Sequence, residues 1–188
     1  MNKKIVGMAI LILFVMTGFS SLPSAYGQAS SGVTSIGSAS TASETGSISL
    51  RGNLTAPSFS GSISGNFSGT VQGTLNGKAN GTVTQGSESY SFSFYYSGTF
   101  TTGAKTYDVE GKGEAQGSSG SISSGSLNGT VRYPASQLVF GELSGDLSGG
   151  PGSYSTSTTY IGSNVVSTLS VKANFSGSFA KYYIANFT

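Results

Sequence analysis

The sequence has no cysteine, no histidine and no tryptophan, and only 9% of its residues are charged, against about 25% in an average globular domain. Each absence closes off chemistry. Without Cys there is no disulfide framework, thiolate nucleophile, lipid-acylated cysteine or thiolate metal site. Without His, the usual general base near neutral pH and the commonest metal ligand are missing. Nine Lys plus Arg stand against seven Asp plus Glu. Lys3 and Lys4 fall in a leader expected to be removed, which leaves a neutral chain. A neutral, charge-poor surface offers little counterion release to a phosphate backbone, so neither a nucleic-acid partner nor polybasic membrane attachment is expected. No cofactor is implied, and the composition speaks for a protein that is not an enzyme.

The leader is read from its three parts. Asn2, Lys3 and Lys4 precede a run of almost purely apolar residues from Ile5 to Phe19, which Leu22-Pro23-Ser24 breaks before Ala25-Tyr26-Gly27. Small residues three and one before Gln28 fit signal-peptide cleavage, and the run is short for a span of about 20 residues. Residues 1–27 are therefore expected to be a cleaved signal peptide and the mature chain to be secreted to the cell surface, with no transmembrane helix. A type IV prepilin leader is the alternative, but Val6 rather than Lys or Arg precedes Gly7. Residues 28–45 are Ser, Ala, Thr and Gly with Val33 and Ile36 as isolated aliphatics, and are expected to be a flexible tail. Residues 46–188 are expected to form one β-domain.

Glycine is plentiful, at 29 residues, and it is patterned. From Phe59 to Val83 the odd positions are Phe, Gly, Ile, Leu, Val or Ala, and the even ones are Ser, Thr, Asn, Gln or Lys. Period-2 alternation marks half-buried strands. It returns in Leu127 to Val131, in Leu143 to Leu147, and in Leu169, Val171, Ala173, Phe175, Gly177 and Phe179. Between Tyr90 and Tyr96 the inward set moves to even numbers, through Phe92 and Phe94. Glycine costs about 0.5 to 1 kcal/mol in a strand relative to alanine, so its regular place on the apolar face implies rings of one strand lying on bare backbone of another. Turns are expected at Asn76-Gly77-Lys78, Gly86-Ser87, Gly103-Ala104, Gly117 to Gly120, Pro134-Ala135, Gly149 to Gly152 and Gly162-Ser163. Lys181 falls on the inward phase of the last run, which predicts a bulge near Ala180. The fold class is all-β: an antiparallel sandwich of immunoglobulin or pilin type, or a small barrel, with about eight to ten strands.

Two kinds of polar site remain. Asp108 and Glu110 lie two apart on a polar face, as a glycosidase pair would, but Lys112 and Glu114 continue the same solvated row. Glu142 and Asp146 flank Ser144, too few oxygens for a firm calcium site. Six Asn-X-Ser/Thr sequons begin at Asn53, Asn66, Asn80, Asn128, Asn174 and Asn186, and five have the parity of the polar face. A glycan coat on them would replace charge as the solubilising device.

Taken together, the leader, the tail, the hydroxyl-faced alternation and the sequons loosely resemble the secreted, glycosylated pilin-like subunits of archaeal thread filaments. That resemblance implies an immunoglobulin-like sandwich lacking one strand, completed by an extended tail from the next subunit. The chain departs from it in one respect. Val33 and Ile36 are three apart and face opposite sides, whereas Tyr182, Tyr183, Ile184 and Phe187 form a more apolar candidate strand for assembly. The expected function is a surface structural protein, a filament or surface-layer subunit whose partner is itself. An eight-stranded outer-membrane barrel is one alternative. A soluble barrel or sandwich holding a small ligand or glycan, walled by Tyr90, Phe92, Phe94 and Tyr96, is the other.

Overall fold

The structure is a computed structural model that describes residues 35–36, 40–182 and 184–185, with side chains for 40–182. The leader, Tyr183, Asn186 and Phe187 lie outside the described residues. All regular structure is strand: β1 (Ser35–Ile36), β2 (Ser40–Thr55), β3 (Ser58–Gly69), β4 (Gly73–Gln85), β5 (Ser89–Thr102), β6 (Lys105–Ser118), β7 (Ser121–Arg132), β8 (Val139–Ser148), β9 (Tyr154–Ile161), β10 (Asn164–Lys181) and β11 (Ile184–Ala185). The all-β, antiparallel expectation holds, and β2 to β10 make one sheet of nine strands.

The order in that sheet is a meander that returns to its start. Each strand from β2 to β8 pairs with the next, β8 pairs with β10, and β10 pairs back to β2 from Ser167↔Leu54 to Lys181↔Ser40. The ladder thus runs round a ring. β8 and β9 are two lengths of one wall strand, because both lie antiparallel to the same edge of β10. From Ser148 to Tyr154 the chain advances six residues while the partners on β10, Asn174 and Val171, differ by three. The surplus is the Gly149-Gly150-Pro151-Gly152 excursion, with Gly152 at φ 82°. An odd surplus also exchanges the faces, so Leu143 and Leu147 point inward from β8 and Tyr154 points inward from β9.

Inside the ring the alternation resolves into rings on glycines. The ring of Phe94 lies over Gly113, that of Phe100 over Gly73, that of Phe179 over Gly141, and Tyr96 lies across Gly111 and Gly129. A Cβ added to Gly145 would come within 2.6 Å of Phe175 Cζ and of the Gly177 Cα. Glycine therefore sets how closely each aromatic approaches the wall, and the contact recovers dispersion energy that a bare strand would lose. Phe67, Phe175, Phe100, Phe179 and Phe140 form one chain of ring contacts, and Tyr154 stacks on Tyr90 with centroids 3.5 Å apart.

Three local expectations are corrected. Asn76-Gly77-Lys78 is strand, not a turn: β4 passes straight through it, Gly77 faces Gly98, and the reversal is at Thr70-Val71-Gln72. No register shift occurs near Ala180, since β10 stays paired with β2 through Lys181. The irregularities fall instead at Gln116/Gly117 and Val131/Arg132. Lys181 meets its inward phase at the rim of the ring, where its Nζ sits 5.6 Å from the centre of the Phe140 ring. Finally, β2 begins at Ser40, six residues inside the segment expected to be a flexible tail. There Glu44 is buried and its Oε1 accepts a 2.7 Å hydrogen bond from Val71 N–H, fastening the β3–β4 turn.

Candidate functional site

The wall exposes two kinds of surface: a continuous hydroxyl-rich outer face and, at the β9–β10 hairpin, the longest open strand edge among the described residues. On the outer face the sequon asparagines lie as their parity requires. Asn53, Asn66, Asn80 and Asn174 are exposed, and Asn128 is half-buried. Asn80 Oδ1 accepts from Ser60 Oγ at 3.1 Å, and Asn128 Oδ1 accepts from Ser144 Oγ at 2.7 Å. Asn186 lies outside the described residues.

The acidic rows serve the wall. Asp108 accepts from Gln137 Nε2 at 3.1 Å, and Glu110 pairs with Arg132 at 3.4 Å. Glu142 accepts from the Tyr182 hydroxyl at 3.0 Å. Asp146 lies opposite Ser126 on β7 and Ser176 on β10, so the Glu142–Ser144–Asp146 row has hydroxyl neighbours rather than a gathered set of carboxylates.

The groups whose proton affinity is displaced are tyrosines. Burial pushes Tyr96 up, and burial followed by the neighbouring Tyr154 pushes Tyr90 up to about 12. Burial also raises Tyr107 and Tyr154, and Tyr182 is raised by burial, then by its hydrogen bond to Glu142 and that group's charge. These phenols stay protonated at neutral pH, and Tyr90, Tyr96 and Tyr182 act as donors, whereas the buried Tyr154 hydroxyl has no hydrogen-bond partner among the described residues. The Tyr90 hydroxyl donates a hydrogen bond to Ser121 O at 2.8 Å, and the Tyr96 hydroxyl donates to Asn128 O at 3.2 Å. The aromatic set expected to wall a ligand cavity, Tyr90, Phe92, Phe94 and Tyr96, is packed in the core, stacked along β5 and against Tyr154.

The open edge belongs to β9. One side of it carries the ladder to β10, from Tyr154↔Val171 to Ile161↔Asn164. On the other side, Tyr154 N–H donates to Gly120 O at 3.1 Å, in the turn that ends β6 and β7. Beyond that turn no described strand continues. Backbone groups alternate sides along a strand, so Thr156, Thr158 and Tyr160 point the same way as Tyr154 and present their N–H and C=O groups without a described partner. Residues 155–161 are exposed on both faces. Three of the four large apolar residues exposed among the described residues gather at this hairpin: Tyr160, Ile161 and Val165. A flat edge of this kind is a template for another strand.

Sequence reasoning passed over this edge, although a signal is present. Between Tyr154 and Tyr160 the chain reads Ser-Thr-Ser-Thr-Thr, strand-formers with no apolar residue on either face. A strand that needs no inner face is one that leaves the body.

The assembly residues proposed from sequence fall at the opposite pole. Tyr182 is held to its own wall, its N–H donating to Phe140 O at 2.9 Å and its hydroxyl to Glu142. Ile184 pairs with Ile36 in the two-stranded β1–β11 extension. Tyr183 and Phe187 are outside the described residues. Comparison with known protein families, curated proteins and solved structures finds no match to this chain.

Proposed function

We propose that the mature protein is a secreted structural subunit of a cell-surface filament or layer, joined head to tail by β-strand addition at the open edge of β9. The observation that carries this reading is the placement of that edge. The rest of the wall is paired on both sides along most of its length, and the unpaired stretch projects beyond the ring together with Tyr160, Ile161 and Val165. β10 runs from this hairpin to the pole where the chain ends emerge, and its 18 residues extend about 60 Å.

Chain lengths support a head-to-tail sense of assembly. Residues 183–188 would reach about 20 Å if fully extended, short of their own β9, so as a donated strand they serve the edge of a neighbour. A contact between different surfaces of two copies does not close on itself and generates a fibre. In an extended strand Tyr183 and Phe187 share a face, which suits a partner edge that shows Tyr160 and Val165 on one side.

The outer face also fits an aqueous surface. Its residues are mainly Ser, Thr, Asn, Lys and Glu, whereas a lipid-facing barrel needs an apolar outer band with aromatic girdles.

The test is sedimentation of the mature chain without detergent, together with two variants. Thr158→Pro removes an edge donor, and deletion of residues 183–188 removes the donated strand. Wild type should sediment as a polymer and each variant as a monomer. Mixed together, the two variants should form a one-to-one dimer, because the deletion keeps an open edge and the proline variant keeps a tail. Deletion of residues 28–39 is the control that leaves β2 whole. If the mixture stays monomeric, the two surfaces are not partners, and a monomeric wild type would refute the filament reading.

A further inference from the structure

Tyr95 breaks the pattern of the outer face. It is 73% exposed and is the one large apolar residue on the outside of the ring away from the β9–β10 hairpin, among the described residues. It sits in a groove of about 700 Å³ whose lining includes Asn80, Lys112 and Asn128. Register places these side chains in one row across the wall: Ser60 on β3, Asn80 on β4, Tyr95 on β5, Lys112 on β6, Asn128 on β7 and Ser144 on β8.

The hydrogen bonds of that row orient its two amides. Ser60 holds Asn80 Oδ1 on the β3 side, and Ser144 holds Asn128 Oδ1 on the β8 side. In a planar amide the oxygen and nitrogen diverge from one carbon, so with each oxygen held on the serine side both Nδ2 atoms are left on the side of Tyr95 and Lys112. Nδ2 is the atom that carries the sugar when a sequon is used. Asn80 and Tyr95 are direct cross-strand partners, whose Cβ atoms lie about 5 Å apart. A sugar ring attached at Nδ2 therefore starts at the height of the phenol ring and beside it.

We infer that the groove is a cradle for the glycan on Asn80, whose first sugar stacks its apolar C–H face on Tyr95 while Lys112 donates to its hydroxyls. An exposed aromatic with a polar tip is suited to a ligand that has one apolar face and hydroxyls at its rim. Asn128 is the weaker acceptor, because it is half-buried and held by the shorter of the two serine bonds. The inference rests on secretion into a compartment that glycosylates Asn, and the experiment separates the two.

Mass mapping of the secreted protein reads the occupancy of Asn80, and tyrosine nitration reads the cover on Tyr95. Tyr160, 75% exposed in the single chain, is the internal reference, read on the monomer that lacks residues 183–188 so that no neighbour covers it. In protein with Asn80 occupied, Tyr95 should nitrate several-fold more slowly than Tyr160. In an Asn80→Gln variant the two should react at similar rates. Glycosylation should raise the melting temperature of wild type and of Tyr95→Phe, and the rise should be lost in Tyr95→Ala. Equal nitration of Tyr95 and Tyr160 on a chain with occupied Asn80 overturns the stacking. A bare Asn80 in native secreted protein overturns the glycan itself, and with it the inference.

Discussion

The two ends of β10 share one strand and meet opposite fates. From Asn174 to Lys181 it is paired on both edges, with β2 and β8, and its inward residues Phe175 and Phe179 are fully buried. From Asn164 to Val166 it is paired on one edge only, with β9, and Val165 is exposed. Composition alone does not separate these ends, since both carry apolar side chains on the inward parity, Val165 at one and Phe175 and Phe179 at the other. The difference is the presence of a second neighbour. A closed ladder leaves no edge to manage, while a hairpin that outruns its neighbours keeps one open. In this chain the closed part supplies stability and the open part supplies a contact.

The sharpest way to break the comparison is proline. Thr99 lies in β5 with Asn76 on one side and Asp108 on the other, so Thr99→Pro removes a ladder bond whichever way its N–H points. It should destabilise the ring by on the order of 3 kcal/mol, from the lost bond and the carbonyl left unpaired. Thr158→Pro, whose N–H faces the open edge, should cost less than about 1 kcal/mol. Urea denaturation of both variants in the monomeric chain that lacks residues 183–188 measures the two costs, and equal costs would mean that β9 has a partner on its far side.

Next in size is overpacking of the inner face. Gly145→Val places side-chain atoms against Phe175 and the Gly177 backbone and should cost about 1 to 3 kcal/mol. Ser64→Val, on the exposed outer face of β3, should change stability by less than about 0.5 kcal/mol. Chemical denaturation decides it, and similar effects at both sites would mean that the small residues are not there to receive aromatic rings.

Much of the ring was legible because inward and outward positions follow from parity, which survives any error about where a turn falls. Phe59, Ile63, Phe67, Leu75, Ala79 and Val83 are all buried although the turn between them was misplaced by several residues. Asn76-Gly77 carries a strong local turn signal, but a glycine required by close strand packing looks the same as one required by a turn. Its Cβ would meet the Ser97 backbone, so tertiary packing and not local conformation placed it. The open edge was illegible for another reason: pairing of an edge depends on the lengths of hairpins distant in sequence. β9 is open because β6 and β7 turn at Ser119 and Gly120 while β9 and β10 continue to Gly162.

A pH titration probes the closed part. Tyr90 has its pKa raised above the ordinary 10.0, to about 12, mainly by burial. A phenol whose folded pKa is raised favours folding fully below the unfolded value, and that contribution is lost as pH rises through the folded one. Stability should therefore hold to about pH 10 and fall between there and about pH 12, and Tyr96, also raised, acts in the same direction. Tyr90→Phe should be less stable at neutral pH, having lost the bond to Ser121 O, yet show a shallower decline above pH 10. Thermal melts across the alkaline range give both slopes, and parallel curves would mean that the Tyr90 hydroxyl is open to water in the folded state.

The smallest effect on stability should come from the hairpin tip. Tyr160 and Val165 are cross-strand partners, exposed on the face that continues the inner side of the wall. Exposed apolar side chains with no described neighbour contribute little to the monomer, so Tyr160→Ser with Val165→Ser should shift its stability by less than about 0.5 kcal/mol. The same pair on a strand-accepting edge becomes buried when a neighbour docks, and each side chain then contributes about 1.5 to 3 kcal/mol through removal of its surface from water. The double variant should fold as well as wild type and polymerise only at concentrations raised by two orders of magnitude or more. Sedimentation across a dilution series, set beside a denaturation curve of the monomer, tests both halves at once. Unchanged polymerisation would leave backbone pairing as the whole of the contact, and a monomer destabilised by several kcal/mol would mean that the tip is already packed on its own ring.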